Sequence, residues 1–340
     1  MNVIMGILPA FLNSLWQAGL LAALVWLTLR LAPRINAATR FAIWWAALGV
    51  VVLLPVAPRM IATVRTIFKA PPVKSTKHVH TAAPTPIQGT SLPVLVITEG
   101  RNSTQWRMWI AAVWGLMFLY RSMQIVRSYL YLGRVKRRAS SCSQGLPPLG
   151  RSARLLLSAE IGAPIATGFL RPAVILPDDL PGKLSREELD HVLLHETAHI
   201  ARWDDWTNLL ARVLDGVLAL HPVALWILRR IEIEREAACD NWVICRTRSP
   251  RSYAQSLVHL YELRFAVPRR SEILAAGIFG GGSRLGERIE ALLRRGGNFA
   301  PRASMQSVAA SVLVLLFIGG LASLSPRLGC LRSAVRSGTV

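Results

Sequence analysis

Four stretches of this chain are apolar and free of charge, and between the third and fourth the pattern shifts to short strand-like and helix-like segments. The first run, Ile4 to Leu29, is interrupted only by Asn13, Ser14, Gln17 and Thr28. A cleaved leader carries its basic residues before the apolar core and a small-residue cleavage site after it. Here the basic residues follow the run, so a retained span is expected. Phe41 to Pro58 is the second run, with Trp44 and Trp45 placed to sit at an interface. The third, Met108 to Tyr120, lies between Arg107 and Arg121 and is long enough to cross a bilayer if those arginines snorkel. Ser307 to Leu324 is the fourth. The pattern predicts about four spans and no internal repeat.

The segments between are unequal. The expected division is residues 1–59 for the first two spans, 60–105 for an extracytoplasmic linker loop, and 106–131 for the third span. A peptidase-sized domain follows at 132–303, then the fourth span at 304–325 and a short extracytoplasmic tail at 326–340. Pro71, Pro72, Pro84 and Pro86 and weak periodicity make 60–105 a linker rather than a core. Asn102-Ser103-Thr104 is a chance-level glycosylation tripeptide. Only 132–303 can bury a sizeable core. Arg154 to Ser158, Ile165 to Phe169 and Ala173 to Leu176 read as short strands, with Gly162, Pro164, Gly168 and Pro172 in the turns, and helices follow.

Composition agrees with a membrane protein: 52% of residues are apolar and 17% charged. The net charge of +21 raises nucleic acid as a partner. No zinc-finger spacing, stacking aromatic signature or lysine-rich tail accompanies it, so no direct nucleic-acid binding is expected. The excess is arginine beside apolar runs: Arg30, Arg34 and Arg40 in one connection, Arg134, Lys136, Arg137 and Arg138 after the third span. With alternating spans both fall on one face, which basic-residue bias makes cytoplasmic. Lys69, Lys74 and Lys77 make the other face basic as well. Cys142, Cys239, Cys245 and Cys330 contain no CxxC pair and read as free thiols.

The chemistry concentrates in SREELDHVLLHETAHIARW, residues 185–203. Ser185 and Glu188 form a capping box and Leu184 and Leu189 a hydrophobic staple, so a helix starts here for local reasons. His195 and His199 are four apart on it and share a face. Both imidazoles can then reach one ion, with Glu196 beside them to take a proton from water, the H-E-x-x-H arrangement of metal-assisted peptide hydrolysis. One zinc ion needs a third protein ligand and an open fourth position. A third histidine on the same stretch requires glycine at position 202 and histidine at 205, where the chain has Arg202 and Asp205. Leu214-Asp215-Gly216 has the aspartate motif of intramembrane proteases, but it comes only sixteen residues after His199, and the histidine helix is too charged for lipid.

Glu236 is the preferred ligand. It lies on a helix read from His221 to Arg246, with Pro222 at its start and Asp240 one turn on to fix an imidazole tautomer. Glu232 and Glu234 are rivals with poorer downstream partners. Asp204 is a second supporting candidate beside the metal ligands. His191, His221 and His259 are expected to be structural or surface groups, and Tyr253 or Tyr261 is available to stabilise an oxyanion. An edge strand at Ile165 to Phe169 offers backbone pairing to an extended substrate.

Three stretches carry a resemblance: SAEIGAPIATGFLRPAVILPDDL, HETAHIARWDDWTNLL and HPVALWILRRIEIEREAACD. Together with SLWQAGLLAALVWL and the arginine-rich turn before FAIWW, they resemble the BlaR/MecR-type membrane zinc metallopeptidases over most of residues 1–325. The resemblance implies His195, His199 and Glu236 as zinc ligands, Glu196 as the catalytic residue and Asp240 as a support. It also implies an outside N-terminus and a peptidase domain on the cytoplasmic face of a bacterial cell membrane. Antibiotic sensors of that family add an extracytoplasmic penicillin-binding domain, and their activation leads to loss of a transcriptional repressor. Only a tail is expected after Leu324 here, with no S-x-x-K motif in it.

The fold class expected is an α-helical membrane protein with about four spans and an inserted α+β zincin-like (gluzincin) domain with a small sheet. The function expected is a zinc metalloendopeptidase cutting a cytoplasmic protein in regulatory signalling. A repressor is one candidate substrate, and the chain itself another through the arginine pairs between Arg269 and Arg295. A second copy of the chain and the lipid bilayer complete the expected partners. The alternatives are a quality-control membrane peptidase and a non-catalytic signalling scaffold.

Overall fold

The computed structural model describes residues 7–55, 102–142, 145–147, 151–265, 282–293 and 299–324. Most of the linker loop expected at 60–105, the tail at 326–340 and both arginine pairs, Arg269-Arg270 and Arg294-Arg295, lie outside these residues.

The described chain is mostly helical with a small mixed sheet. Helices α1 (Ile7–Leu31) and α2 (Ala37–Leu53) are joined by a tight turn. Asn36 caps α2 by accepting from the Thr39 N–H at 2.8 Å and donates to the Arg302 carbonyl at 2.8 Å. That second bond ties the turn to the start of α10 (Met305–Leu324). Helix α3 (Asn102–Arg138) is longer than the third apolar run suggests, because its arginine-bearing half continues the same helix. The Asn102-Ser103-Thr104 tripeptide forms its first turn rather than part of a loop. Within α1 and α3, Asn13–Leu31 and Met108–Arg138 are long and apolar enough to cross a membrane, while α2 and α10 supply shorter apolar helices.

The sheet has β1 (Ser140–Ser141), β2 (Arg154–Ser158), β3 (Ile165–Thr167) and β4 (Ala173–Pro177) in the order β1-β2-β4-β3. β2 and β4 are parallel, and the outer pairings are antiparallel. The expected strand at Ile165 to Phe169 stops at Thr167, because Gly168 turns the chain with φ at 113°. A Cβ there would stand 2.5 Å from the Arg171 carbonyl oxygen, so only glycine fits. β4 is buried on both faces. Val135 of α3 packs with Leu156 and Ile175 on one face, while Val174 and Leu176 meet Leu189, Val192 and Leu193 on the other. Each such side chain contributes roughly 1.5–3 kcal/mol by leaving water.

Those leucines and Val192 belong to α5 (Arg186–Ala201), which a short α4 (Leu180–Lys183) precedes. The remaining helices are α6 (Asp204–Val217), α7 (Pro222–Thr247), α8 (Pro250–Phe265) and α9 (Gly282–Leu293). A separate core joins Ala18, Leu21 and Val25 of α1, Trp44 and Leu48 of α2, and Ala224, Ile227 and Ile231 of α7. Leu315 of α10 joins it, so α1, α2, α10 and the helix carrying Glu236 share one packed interior.

Candidate metal centre

Helix α5 begins as its sequence dictates. The Ser185 hydroxyl accepts from the Glu188 N–H at 3.3 Å, and the Glu188 carboxylate accepts from the Ser185 N–H at 2.8 Å. Sixteen residues of helix then carry His195 and His199 onto the face that meets α7. Glu236 comes from α7, with its Oε2 3.6 Å from His195 Nε2 and 3.9 Å from His199 Nε2. All three donor atoms lie within 4.8 Å of one another. The edge of a zinc tetrahedron with ligand bonds of about 2.0–2.1 Å is roughly 3.3 Å. Two imidazole nitrogens and a carboxylate oxygen at this spacing fit a zinc ion with only slight inward movement.

Each imidazole is held from behind by a different aspartate. His195 Nδ1 faces Asp240 Oδ1 at 3.2 Å, and His199 Nδ1 faces Asp204 Oδ2 at 2.9 Å. Asp204 reaches back only five residues because Trp203 takes a left-handed conformation, φ 61°, between α5 and α6. A bulky residue there stores backbone strain, and the Arg151 guanidinium 4.0 Å above the Trp203 ring helps to hold it. Burial alone would raise the pKa of Asp204, but hydrogen bonding and attraction from His199, with Arg202 nearby, hold it below its ordinary value. For Asp240 too burial works toward neutrality, and Arg288 and His195 outweigh it to keep the carboxylate ionised. Burial likewise disfavours charge on His195, yet hydrogen bonds to Asp240 and Glu236 push its pKa up to about 9.

Glu236 is braced as well. Arg235 donates to its Oε1 from Nε at 3.3 Å and from Nη2 at 3.2 Å. Arg288 of α9 donates to Asp240 at 2.9 and 2.6 Å, and its Nη1 stands 3.9 Å from Glu236. Burial would raise the Glu236 pKa, but the two histidines and two arginines hold it well below the usual carboxylate range. The group is thus ready to ligate a cation without losing a proton.

Other acidic candidates point elsewhere. Glu234 is 4% exposed and pairs with Arg40 of α2 at 3.3 Å. Glu232 sits in the field of Arg212 and Arg235. Asp215 pairs with Arg121 of α3 at 2.5 Å, away from the histidines. His191 meets Ser256, His259 meets Glu188, and His221 accepts from the Ala224 N–H at the start of α7. Tyr253 is buried behind His195 and donates to Asp240 at 2.7 Å, so it braces the site and does not face a substrate carbonyl. Glu196 is half-buried on α5, next in sequence to His195.

Sequence reasoning missed Arg288 and Arg235, offered Tyr253 as an oxyanion stabiliser rather than a brace for Asp240, and read Cys239 only as a free thiol. The Cys239 thiol lies 3.3 Å from His199 Nδ1 and 3.4 Å from Asp204, making a second donor group with them. Burial pushes its pKa well above the ordinary thiol value, which keeps it protonated and a poor ligand. No local signal marks Arg288, which lies 48 residues from Asp240.

A sequence model described as BlaR1 peptidase M56 matches residues 10–292 of the chain. Over 180 residues the chain is 26% identical to Regulatory protein BlaR1 of Bacillus licheniformis, an alignment covering 49% of this chain. The chain spans about a third of that relative, as the alignment takes in 30% of its length.

Proposed function

The chain belongs to the BlaR1 peptidase family M56, and from that premise we propose that it is a membrane-embedded zinc metalloendopeptidase that cuts a cytoplasmic protein in signalling. The observation that carries the reading is the convergence of His195, His199 and Glu236 from two helices, each imidazole backed by its own aspartate. A zinc ion held there supplies Lewis acidity toward a peptide carbonyl and acidifies water.

The rest of the chemistry belongs to side chains of this chain. Glu196 takes the proton of the attacking water and hands it to the leaving amine. Asp240 and Asp204 accept from Nδ1 of the two histidines, which turns both Nε2 atoms toward the metal position, where a bound cation would take the place of the Nε2 proton. Arg288 and Arg235 keep Asp240 and Glu236 charged in a buried setting. Among the described residues β3 pairs only with β4 and packs against α5, so its outer edge is available to align an extended substrate backbone beside the site.

Four spans, α1, α2, α3 and α10, with the sheet and α4–α9 on the cytoplasmic face, follow from the apolar runs and the basic clusters. The turn before α2 and the segment before α10 lie together, as both must if they face the same side. A cytoplasmic repressor and the chain itself are the proposed substrates.

Glu196→Gln tests this in cells. The variant is expected to keep its metal and lose cleavage, so that one regulatory protein persists under the inducing stimulus. General accumulation of misfolded membrane proteins would move the assignment to quality control. Unchanged cleavage would refute the role of Glu196.

A further inference from the structure

Helices α6 and α7 form an antiparallel hairpin whose tip, residues 213–228, contains one acidic residue, Asp215, and no lysine or arginine. Basic residues bound it on both sides, Arg212 before and Arg229 with Arg230 after. Along α6 and past its end, Trp206, Leu210, Val213, Val217 and Leu220 recur at helical spacing on one face, each between 37 and 50% exposed. A stripe of this size is foreign to a water-facing surface. The proposed domain division places it in the cytoplasm, yet its neighbours are the apolar helices.

The contacts set its depth. The Trp114 indole N–H donates to the Val217 carbonyl at 2.9 Å, and Trp114 lies inside the charge-free run from Met108 to Tyr120 of α3. On the other side Trp226 packs edge-on against Trp44 of α2 at 5.3 Å. α7 runs antiparallel to α2, with Glu234 level with Arg40. The hairpin is therefore wedged between α3 and the α1–α2 pair. Some eight to ten residues separate its tip from the flanking arginines, about 12–15 Å of helix, which is half of a hydrocarbon core about 30 Å thick.

Non-helical backbone at such depth needs partners for its polar groups. At the turn His221 N–H donates to Leu218 O at 2.8 Å, the His221 side chain accepts from Ala224 N–H at 3.1 Å, and Trp114 serves the Val217 carbonyl. The one charge, Asp215, is neutralised by Arg121 from α3. We infer that the α6–α7 hairpin is re-entrant: it dips to about the bilayer midplane and presents Val213, Val217 and Leu220 to lipid acyl chains, while Trp206 and Leu210, before Arg212, lie nearer the headgroups. The metal centre then lies at the foot of the hairpin, since Asp204 opens α6 and Glu236 lies beyond the flanking arginines of α7. Cleavage would take place at the membrane surface, on a segment held close to the lipid headgroups. This inference rests on the reading of α3 as a span.

The test is photo-crosslinking in lipid nanodiscs of the full chain, with benzoylphenylalanine placed singly at Val213, Val217 or Leu220. Leu116, on the exposed face of α3, is the span control, and Glu262, exposed on α8, is the aqueous control. The expected result is a mass increase of one phospholipid at the three hairpin positions and at Leu116, and none at Glu262. Lipid adducts at Leu116 with chain-to-chain crosslinks at the hairpin would overturn the inference in favour of a second copy covering the stripe. Adducts at Leu116 with unmodified hairpin positions would overturn it in favour of water. Absence of lipid at Leu116 as well would instead sink the membrane reading of α3. Three positions keep the outcome independent of any one variant that fails to fold.

Discussion

Replacing Asp240 by Asn preserves the side-chain shape and removes its charge. Asp240 is 3% exposed and accepts from Arg288 at 2.6 and 2.9 Å and from Tyr253 at 2.7 Å, while standing 3.2 Å from His195 Nδ1. The neutral amide leaves Arg288 without its close counter-charge and turns one acceptor into a donor. Breaking a buried pair by removing one partner costs about 3–5 kcal/mol. Arg288 retains a longer approach to Glu236 at 3.9 Å and its side chain is 24% exposed, so the lower end, about 3 kcal/mol, applies. At the metal, losing the carboxylate that orients one imidazole lowers affinity about 10–100-fold. Chelator-competition titration of zinc with the purified full chain, run beside thermal unfolding, measures both. An Asp240→Asn protein that unfolds earlier yet binds zinc within about twofold of the parent would refute the orienting role and leave Asp240 as a clamp for Arg288 alone.

Glu234 and Glu236 separate by the same assay. Glu236→Gln is expected to abolish stoichiometric zinc binding, whereas Glu234→Gln keeps the metal and lowers the melting temperature by loosening α7 from Arg40 of α2. The capping box of α5 gives a pH signature. Its backbone hydrogen bond from Ser185 lowers the Glu188 pKa, with His259 assisting. The stabilisation is therefore present above the ordinary glutamate value and is lost as pH falls through the lowered one. Glu188→Gln should melt earlier than the parent at neutral pH, and the difference should close on acidification when followed by circular dichroism.

The parts of the site that the sequence revealed are those whose cause is local. Ser185 and Glu188 start α5 within four residues, and the four-residue spacing of His195 and His199 puts two nitrogens on one face without help from the fold. Glu236 and Asp240 were readable for the same reason, as a helix repeat after Pro222. Strands β2 and β4 lie where the apolar runs put them, whereas the two-residue β1 has no pattern of its own and forms only against β2. Arg288 and Tyr253 depend on α8 and α9 folding back onto α7, and nothing near them in sequence signals it. The third apolar run looks marginal as a span because hydropathy counts Arg121 as a cost. In three dimensions Asp215 neutralises it and the helix continues unbroken to Arg138.

The central claim is that one zinc ion is held by His195, His199 and Glu236 with the thiol of Cys239 outside the coordination sphere. X-ray absorption at the zinc edge of the purified full chain tests it most directly. Two imidazole nitrogens with oxygen donors at about 2.0–2.2 Å and no sulfur are the expected result. A sulfur shell near 2.3 Å would place the ion among His199, Asp204 and Cys239 instead and contradict the account.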